Sequence, residues 1–208
     1  IPLEDVRIDI PRESLVSGQQ VQVDGREGEF TLDPAVRAID LELTPPALDD
    51  LRADLTRVSE TLAQHGLPAL SGGPKLLSRL ALFLRANDWQ ARIAVRPGAN
   101  GSALVSVLPK GARIAGLAMD IGSTKLAMFL VDLESGAILA QAGVMNPQIS
   151  FGEDVVSRIA YANKGEAERI QLQTRLVETI NQTLGEFCQQ EKICRDQIVD
   201  IVAVGNTA

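Results

Sequence analysis

Aromatic side chains make up only 3% of the 208 residues, histidine occurs once and cysteine twice. Cores must therefore be built from Leu, Ile, Val and Ala, and the 45% hydrophobic content supplies them. Cys188 and Cys194 are not spaced as Cys-x-x-Cys, and His65 is the single imidazole. That excludes a structural zinc site or an iron–sulfur cluster held by these residues alone. Two ordinary thiols fit a reducing compartment, so a cytoplasmic location is expected. No apolar run approaches the roughly 20 residues that span a bilayer, and no charged-then-apolar signal segment opens the chain. Net charge is −7, which argues against nucleic acid or an anionic membrane as a general partner. Neither Gly-x-x-x-x-Gly-Lys-Ser/Thr nor Gly-x-Gly-x-x-Gly occurs, which disfavours a P-loop enzyme and a dinucleotide fold.

What is present reads as two units. Strands are expected at 6–10, at 21–23 and 29–32 as a hairpin around Asp24, Gly25 and Gly28, and at 38–43 before Pro45 and Pro46. Leu48, Leu51, Leu55, Val58 and Leu62 recur at helical spacing, with Asp49 and Asp50 near the start and Gly66 at the end. A second helix over 75–85 and a hairpin of 90–96 with 103–108 complete a small α+β domain ending near Gly111. His65 and Trp89 read as structural residues. From Ile114 the pattern changes to strands at 115–120, 125–133 and 138–144, helices at 154–161 and 167–190, and an apolar strand at 198–204. That last strand is of the kind buried by helices on both faces.

The expected organisation is a linker segment of strands over 1–45, a small α+β middle domain over 46–112, and the first part of an α/β ribonuclease-H-like domain over 113–208. Ile1 is not a start methionine, and 198–208 reads as a strand delivering a loop. The chain is expected to be a piece of a longer protein.

The residues that could carry chemistry gather at Asp120, Gly122, Ser123, Thr124 and Lys125, between two apolar runs. Backbone N–H groups in a tight turn make an anion-binding nest. Gly122 lets a phosphate approach, the hydroxyls of Ser123 and Thr124 donate, and Lys125 adds positive charge. Asp120 can hold Mg²⁺ as a hard oxygen ligand. The plain alternative is a hairpin turn, since Gly, Ser and Thr are common there. A second candidate leaves the third strand: Asn146, Gln148 and Arg158 near the same cleft or a partner surface, with Glu153 and Asp154 suited to a helix start. Here the plain alternative is an extended, capped connection. Gly205, Asn206 and Thr207 follow the last strand, where loops often meet ligands, or else turn into a further helix.

These residues carry a resemblance. The Asp120, Gly122, Ser123 and Thr124 loop between antiparallel strands resembles the first phosphate loop of the actin, sugar-kinase and heat-shock chaperone ATPase superfamily. More closely, 116–124, 130–136, 146–159 and 204–208, with 32–37, 43–48 and 86–89 upstream, are similar to the reductive activators of corrinoid proteins. The resemblance implies a modular protein with a ferredoxin domain carrying a two-iron two-sulfur cluster, a linker, a middle domain and an actin-like ATPase domain. It implies ATP-dependent return of a Co(II) corrinoid protein to Co(I), with an electron donor as a further partner; a homodimer is a separate expectation. By matching positions, Asp120 serves Mg²⁺ and water positioning, and Gly122, Ser123 and Thr124 hold the β and γ phosphates. Lys125 departs from the small hydroxyl residue of many relatives; it either strengthens phosphate binding or points outward. The iron–sulfur domain, second phosphate loop and adenosine pocket are not in this sequence, so weak nucleotide affinity and little hydrolysis are expected of it alone. The competing readings are an ATP-dependent activator of a radical dehydratase, a sugar kinase, and a non-enzymatic actin-fold scaffold.

Overall fold

The computed structural model describes residues 31–67 and 70–205. The strand expected at 6–10 and most of the hairpin expected over 21–32 lie outside the described residues; Thr31 and Leu32 are not in a strand.

The first sheet has the order β1-β3-β4-β2. β1 (Arg37–Glu42) runs antiparallel to β3 (Gln90–Gly98), which forms a hairpin with β4 (Gly101–Leu108). The two-residue β2 (Leu70–Ser71) pairs parallel with β4. Helices α1 (Asp54–Ala63) and α2 (Pro74–Ala86) bring Val58, Leu62, Leu80 and Leu84 onto Leu41, Ile93 and Val107 in one core. Pro74 opens α2, where its missing N–H is no loss. Full burial of each leucine contributes on the order of 1.5–3 kcal/mol. The period-2 alternation of β3 divides its side chains between two faces. Ile93 and Val95 join the helix-side core, whereas Ala94 joins Val36, Leu108, Ile114 and Val199 in a second cluster that bridges to the following unit.

One expected element starts late. The leucine spacing predicts a helix from about Leu48, yet Leu48 is 99% exposed and Leu51 85%. The 47–50 segment is a turn, with Asp50 N donating to the Ala47 carbonyl at 3.0 Å. Arg57, only 3% exposed, holds it by donating to the Asp50 carboxylate at 2.5 Å, the Asp50 carbonyl at 2.7 Å and the Thr44 carbonyl at 3.2 Å. Arg52 also chelates Asp50, at 2.8 and 2.7 Å. These ion-assisted bonds favour the turn over two further helical turns.

The second sheet has the order β7-β6-β5-β8. β5 (Ala115–Ile121), β6 (Lys125–Asp132) and β7 (Ile138–Met145) form an antiparallel meander, and β8 (Ile198–Gly205) lies parallel to β5. Between β7 and β8 come a 3-10 turn (Pro147–Phe151), α3 (Val155–Ala162) and the 26-residue α4 (Glu166–Glu191). Leu184 and Phe187 of α4 pack on Leu117, Met119, Met128 and Leu130 of the sheet. β8 departs from expectation. Among the described residues it is an edge strand, and Ile201, Val202 and Val204 are 57–59% exposed rather than buried on both faces.

The two units meet along the start of β8. Arg79 of α2 chelates Asp196 at 2.7 and 2.6 Å, Arg96 of β3 donates to Asp200 at 2.7 Å, and Ser106 Oγ donates to the Asp196 carbonyl at 2.8 Å. Arg92, 8% exposed, reaches Asp40 of its own sheet and Glu134 of the other. Among the described residues no helix is long and apolar enough to cross a membrane.

Candidate functional site

β5 carries Asp120 up to the turn, where it pairs with Ala127 of β6 and Val204 of β8. The turn that follows is tight. A Cβ on Gly122 would stand 2.7 Å from the Lys125 carbonyl oxygen, so only glycine closes it without movement. Asp120, Ser123 and Thr124 are exposed, and Lys125 begins β6 half-buried. A parallel constraint applies at the end of β8, where a Cβ on Gly205 would lie 3.0 Å from the Ile121 carbonyl.

Asn146, 2% exposed, fixes this turn from the neighbouring strand. Its Nδ2 donates to the Gly122 carbonyl at 2.8 Å and its backbone N–H to the Thr124 carbonyl at 2.9 Å. Its Oδ1 accepts from Gln148 N at 2.9 Å, and Pro147 starts the 3-10 turn directly after. Gln148 extends the chain of contacts by donating from Nε2 to the Leu172 carbonyl of α4 at 3.2 Å. A buried amide with both ends satisfied rigidifies whatever it joins. Here it joins the turn after β5, the exit of β7 and α4.

Asp154 caps α3 by accepting from Ser157 N at 2.7 Å, and this backbone bond, first among its partners, holds its carboxyl below the usual carboxylate range. Arg158, on the first turns of α3, is 8% exposed and donates from Nε to the Gly152 carbonyl at 2.8 Å. A cavity of about 440 Å³ lies between these elements. Gly122, Ser123, Asn146, Gln148, Arg158 and Gly205 line its polar side, and α3, α4 and β8 supply apolar walls.

Of the residues singled out from the sequence, the cavity thus gathers six. Asp120, Thr124 and Lys125 do not line it, although they belong to the same turn. Asn206 and Thr207 lie outside the described residues. Among the described residues no group of three His, Cys, Asp or Glu side chains is placed to hold a metal ion. Sequence reasoning missed two things. One is the apolar wall, legible afterwards as Val155, Ile159 and Ala162 at i, i+4, i+7 on α3, facing Leu172 and Leu176 of α4. The other is the tie from Gln148 to α4, which no local pattern announces.

Two mixed sheets joined through the start of β8, the second bearing a glycine-and-hydroxyl turn clamped at its strand ends, define a two-unit mixed α/β protein. Comparison with known proteins narrows the class. Residues 25–113 match the model of the RACo linker region, and residues 115–208 that of the RACo middle region. A solved structure of a reductive activator for corrinoid, iron–sulfur protein is similar over 87% of the chain, with a TM-score of 0.70 and 32% identity. The corrinoid activation enzyme RamQ of Eubacterium limosum is 32% identical over 111 residues, which are 52% of this chain. The chain belongs to the RACo family, through its linker and middle regions. It spans 19% of the length of RamQ and 29% of the solved relative. The family's names fall on other residues than the sequence suggested: its linker region takes in the unit at 46–112, and its middle region is 115–208.

Proposed function

We propose that this chain is part of an ATP-dependent reductive activator that returns a corrinoid protein from Co(II) to Co(I). One observation carries the proposal: in a chain of the RACo family, the turn after β5 is held by two bonds from a buried Asn146, to the Gly122 and Thr124 carbonyls, while Ser123 and Thr124 stay exposed. A loop that merely reversed the chain would need no such clamp. The strand order of the second sheet, an antiparallel meander followed by a parallel strand, supports reading 113–208 as the start of an actin-like, ribonuclease-H-like ATPase domain.

The donor set suits a nucleotide's phosphates. The backbone N–H groups of 122–124 and the hydroxyls of Ser123 and Thr124 would face β and γ phosphate oxygens, and Lys125 would add charge. Asp120 would be the one carboxylate offered to Mg²⁺ by this turn, leaving the other positions to phosphate and water, as suits that ion. Bound Mg²⁺–ATP would supply the free energy that an uphill cobalt reduction requires. Asn146 keeps the turn in one geometry before the nucleotide arrives, which lowers the ordering cost of binding. The electron would come from a two-iron two-sulfur ferredoxin domain of the full-length protein, fed by a cellular donor. Linkage requires the corrinoid protein to change nucleotide affinity in return.

The test uses the full-length protein, a Co(II) corrinoid protein, a low-potential reductant and Mg²⁺, with the visible spectrum reporting Co(I). ATP-dependent Co(I) that disappears in Asp120→Ala supports the proposal. ATP turnover without change at cobalt points to a kinase or another activator, and absence of both to a scaffold.

A further inference from the structure

The cavity beside the turn has a chemistry of its own. Its walls are mostly apolar, built from α3, α4 and β8, and at about 440 Å³ it has the size of a small-molecule pocket. One of its lining groups is a cation. Arg158 is 8% exposed, and among the described residues its side chain donates only to two carbonyls: Gly152 at 2.8 Å from Nε and Glu153 at 3.4 Å from Nη2. It forms no ion pair there. The carboxylate of Asp154, one helical turn away in sequence, accepts from the Ser157 N–H. The buried side-chain atoms without a partner among the described residues are Arg57 Nε and Arg92 Nε. Arg158 has no such atom, so its remaining N–H groups are not buried without a partner, and the residue lines the cavity.

A buried guanidinium without a carboxylate is costly unless something negative reaches it. Arg57 and Arg92 obey that rule, each being paired with aspartate. Arg158 is the exception among these three, and it lines the cavity. Ser123 stands at the same cavity as a neutral donor, while Asn146 is already spent on the turn and the Gln148 amide on the Leu172 carbonyl. We infer that this cavity is a binding site for a small organic anion, its carboxylate or phosphate head on Arg158 and its apolar body against α3 and α4. The apolar walls exclude a bare inorganic ion as the preferred ligand, because such an ion would leave most of the cavity unmatched. The cavity borders the proposed nucleotide position through Gly122 and Ser123, whereas Asp120, Thr124 and Lys125 do not line it, so the Arg158 end is the part the nucleotide proposal leaves unassigned.

The experiment titrates the full-length protein with hexanoate, phenyl phosphate, 1-hexanol and inorganic phosphate by calorimetry, in wild type, Arg158→Gln and Ala162→Phe. Saturable binding of hexanoate or phenyl phosphate is expected, tighter than that of 1-hexanol and of inorganic phosphate. The two anions distinguish a carboxylate from a phosphate head. Arg158→Gln should weaken the organic anion at least tenfold and leave 1-hexanol unchanged. Ala162→Phe, which fills the cavity without touching the Arg158 bonds, should weaken all organic ligands, and it decides the matter if Arg158→Gln does not fold. Absence of saturable binding at about 10 mM, unchanged affinity in the variants, or displacement by Mg²⁺–ATP would overturn the proposal. The last result would assign the cavity to the nucleotide.

Discussion

The two sheets spend their buried polar groups differently. In the first, the buried arginines are consumed by structure: Arg57 braces the 47–50 turn through Asp50, and Arg92 ties β1 and β3 to the other unit through Asp40 and Glu134. Its core, around Leu41, Leu62, Leu84 and Ile93, is closed. In the second, the buried polar groups surround space. Asn146 serves a turn whose hydroxyls stay exposed, and Arg158 lines a cavity. One sheet is therefore read as support and the other as the working face. The joint between them is the start of β8, whose far end carries Gly205 to the site.

This contrast can be broken from either side. The largest effect is expected from Leu84→Ala, at a fully buried position of the first core. Chemical denaturation should show a loss of about 2–5 kcal/mol, while the nucleotide affinity of the remaining folded protein stays unchanged. A matching loss of affinity would mean that the supporting sheet is not energetically separate from the site.

Asn146→Ala should destabilise less, by about 1–3 kcal/mol, because it strands the Gly122 carbonyl and Gln148 N–H. Activity should fall further than stability: ATP-dependent Co(I) formation should drop at least tenfold in protein that remains folded. Asn146→Asp, which keeps the acceptor for Gln148 but puts a carboxylate against the Gly122 carbonyl, should resemble the alanine variant. Recovery in Asn146→Asp would show that the donor to Gly122 is dispensable.

A pH series sharpens the comparison at α3. The folded-state pKa of Asp154 is depressed, chiefly by the Ser157 N–H. Its contribution is therefore present above the unfolded carboxylate pKa near 4 and is lost as pH falls through the lower folded value. Thermal melts should separate wild type from Asp154→Ala at pH 7, with the gap narrowing toward pH 3. A constant gap would mean that the cap does not act as a carboxylate. The smallest effect belongs to the joint. Arg79 and Asp196 are 40% and 49% exposed, so Arg79→Ala should cost under about 1 kcal/mol by denaturation, and less in high salt.

Much of the backbone was legible because its signals were local. The alternating runs of β5, β6 and β7, the glycine turn at 136 and the apolar stripe of α4 depend on neighbours a few positions away. α1 was misplaced at its start because leucine spacing cannot reveal that Arg57 lies ready to hold Asp50 in a turn. β8 misled for another reason. Its residues are apolar enough for a central strand, yet among the described residues it sits at the sheet edge. At the site, residue types pointed to the turn and to Asn146, Gln148 and Arg158 as separate candidates. Their convergence was not legible, since the bond from Asn146 to Gly122 spans 24 positions and that from Gln148 to Leu172 another 24.

The central claim is that the turn after β5 is a phosphate loop, and nucleotide binding tests it most directly. Mg²⁺–ATP should be titrated into the full-length protein and its Gly122→Ala variant, whose added methyl group would meet the Lys125 carbonyl at 2.7 Å. The account predicts saturable binding in the wild type and at least tenfold weaker binding in the variant, with the fold retained by circular dichroism. Equal affinity in the two proteins would contradict it.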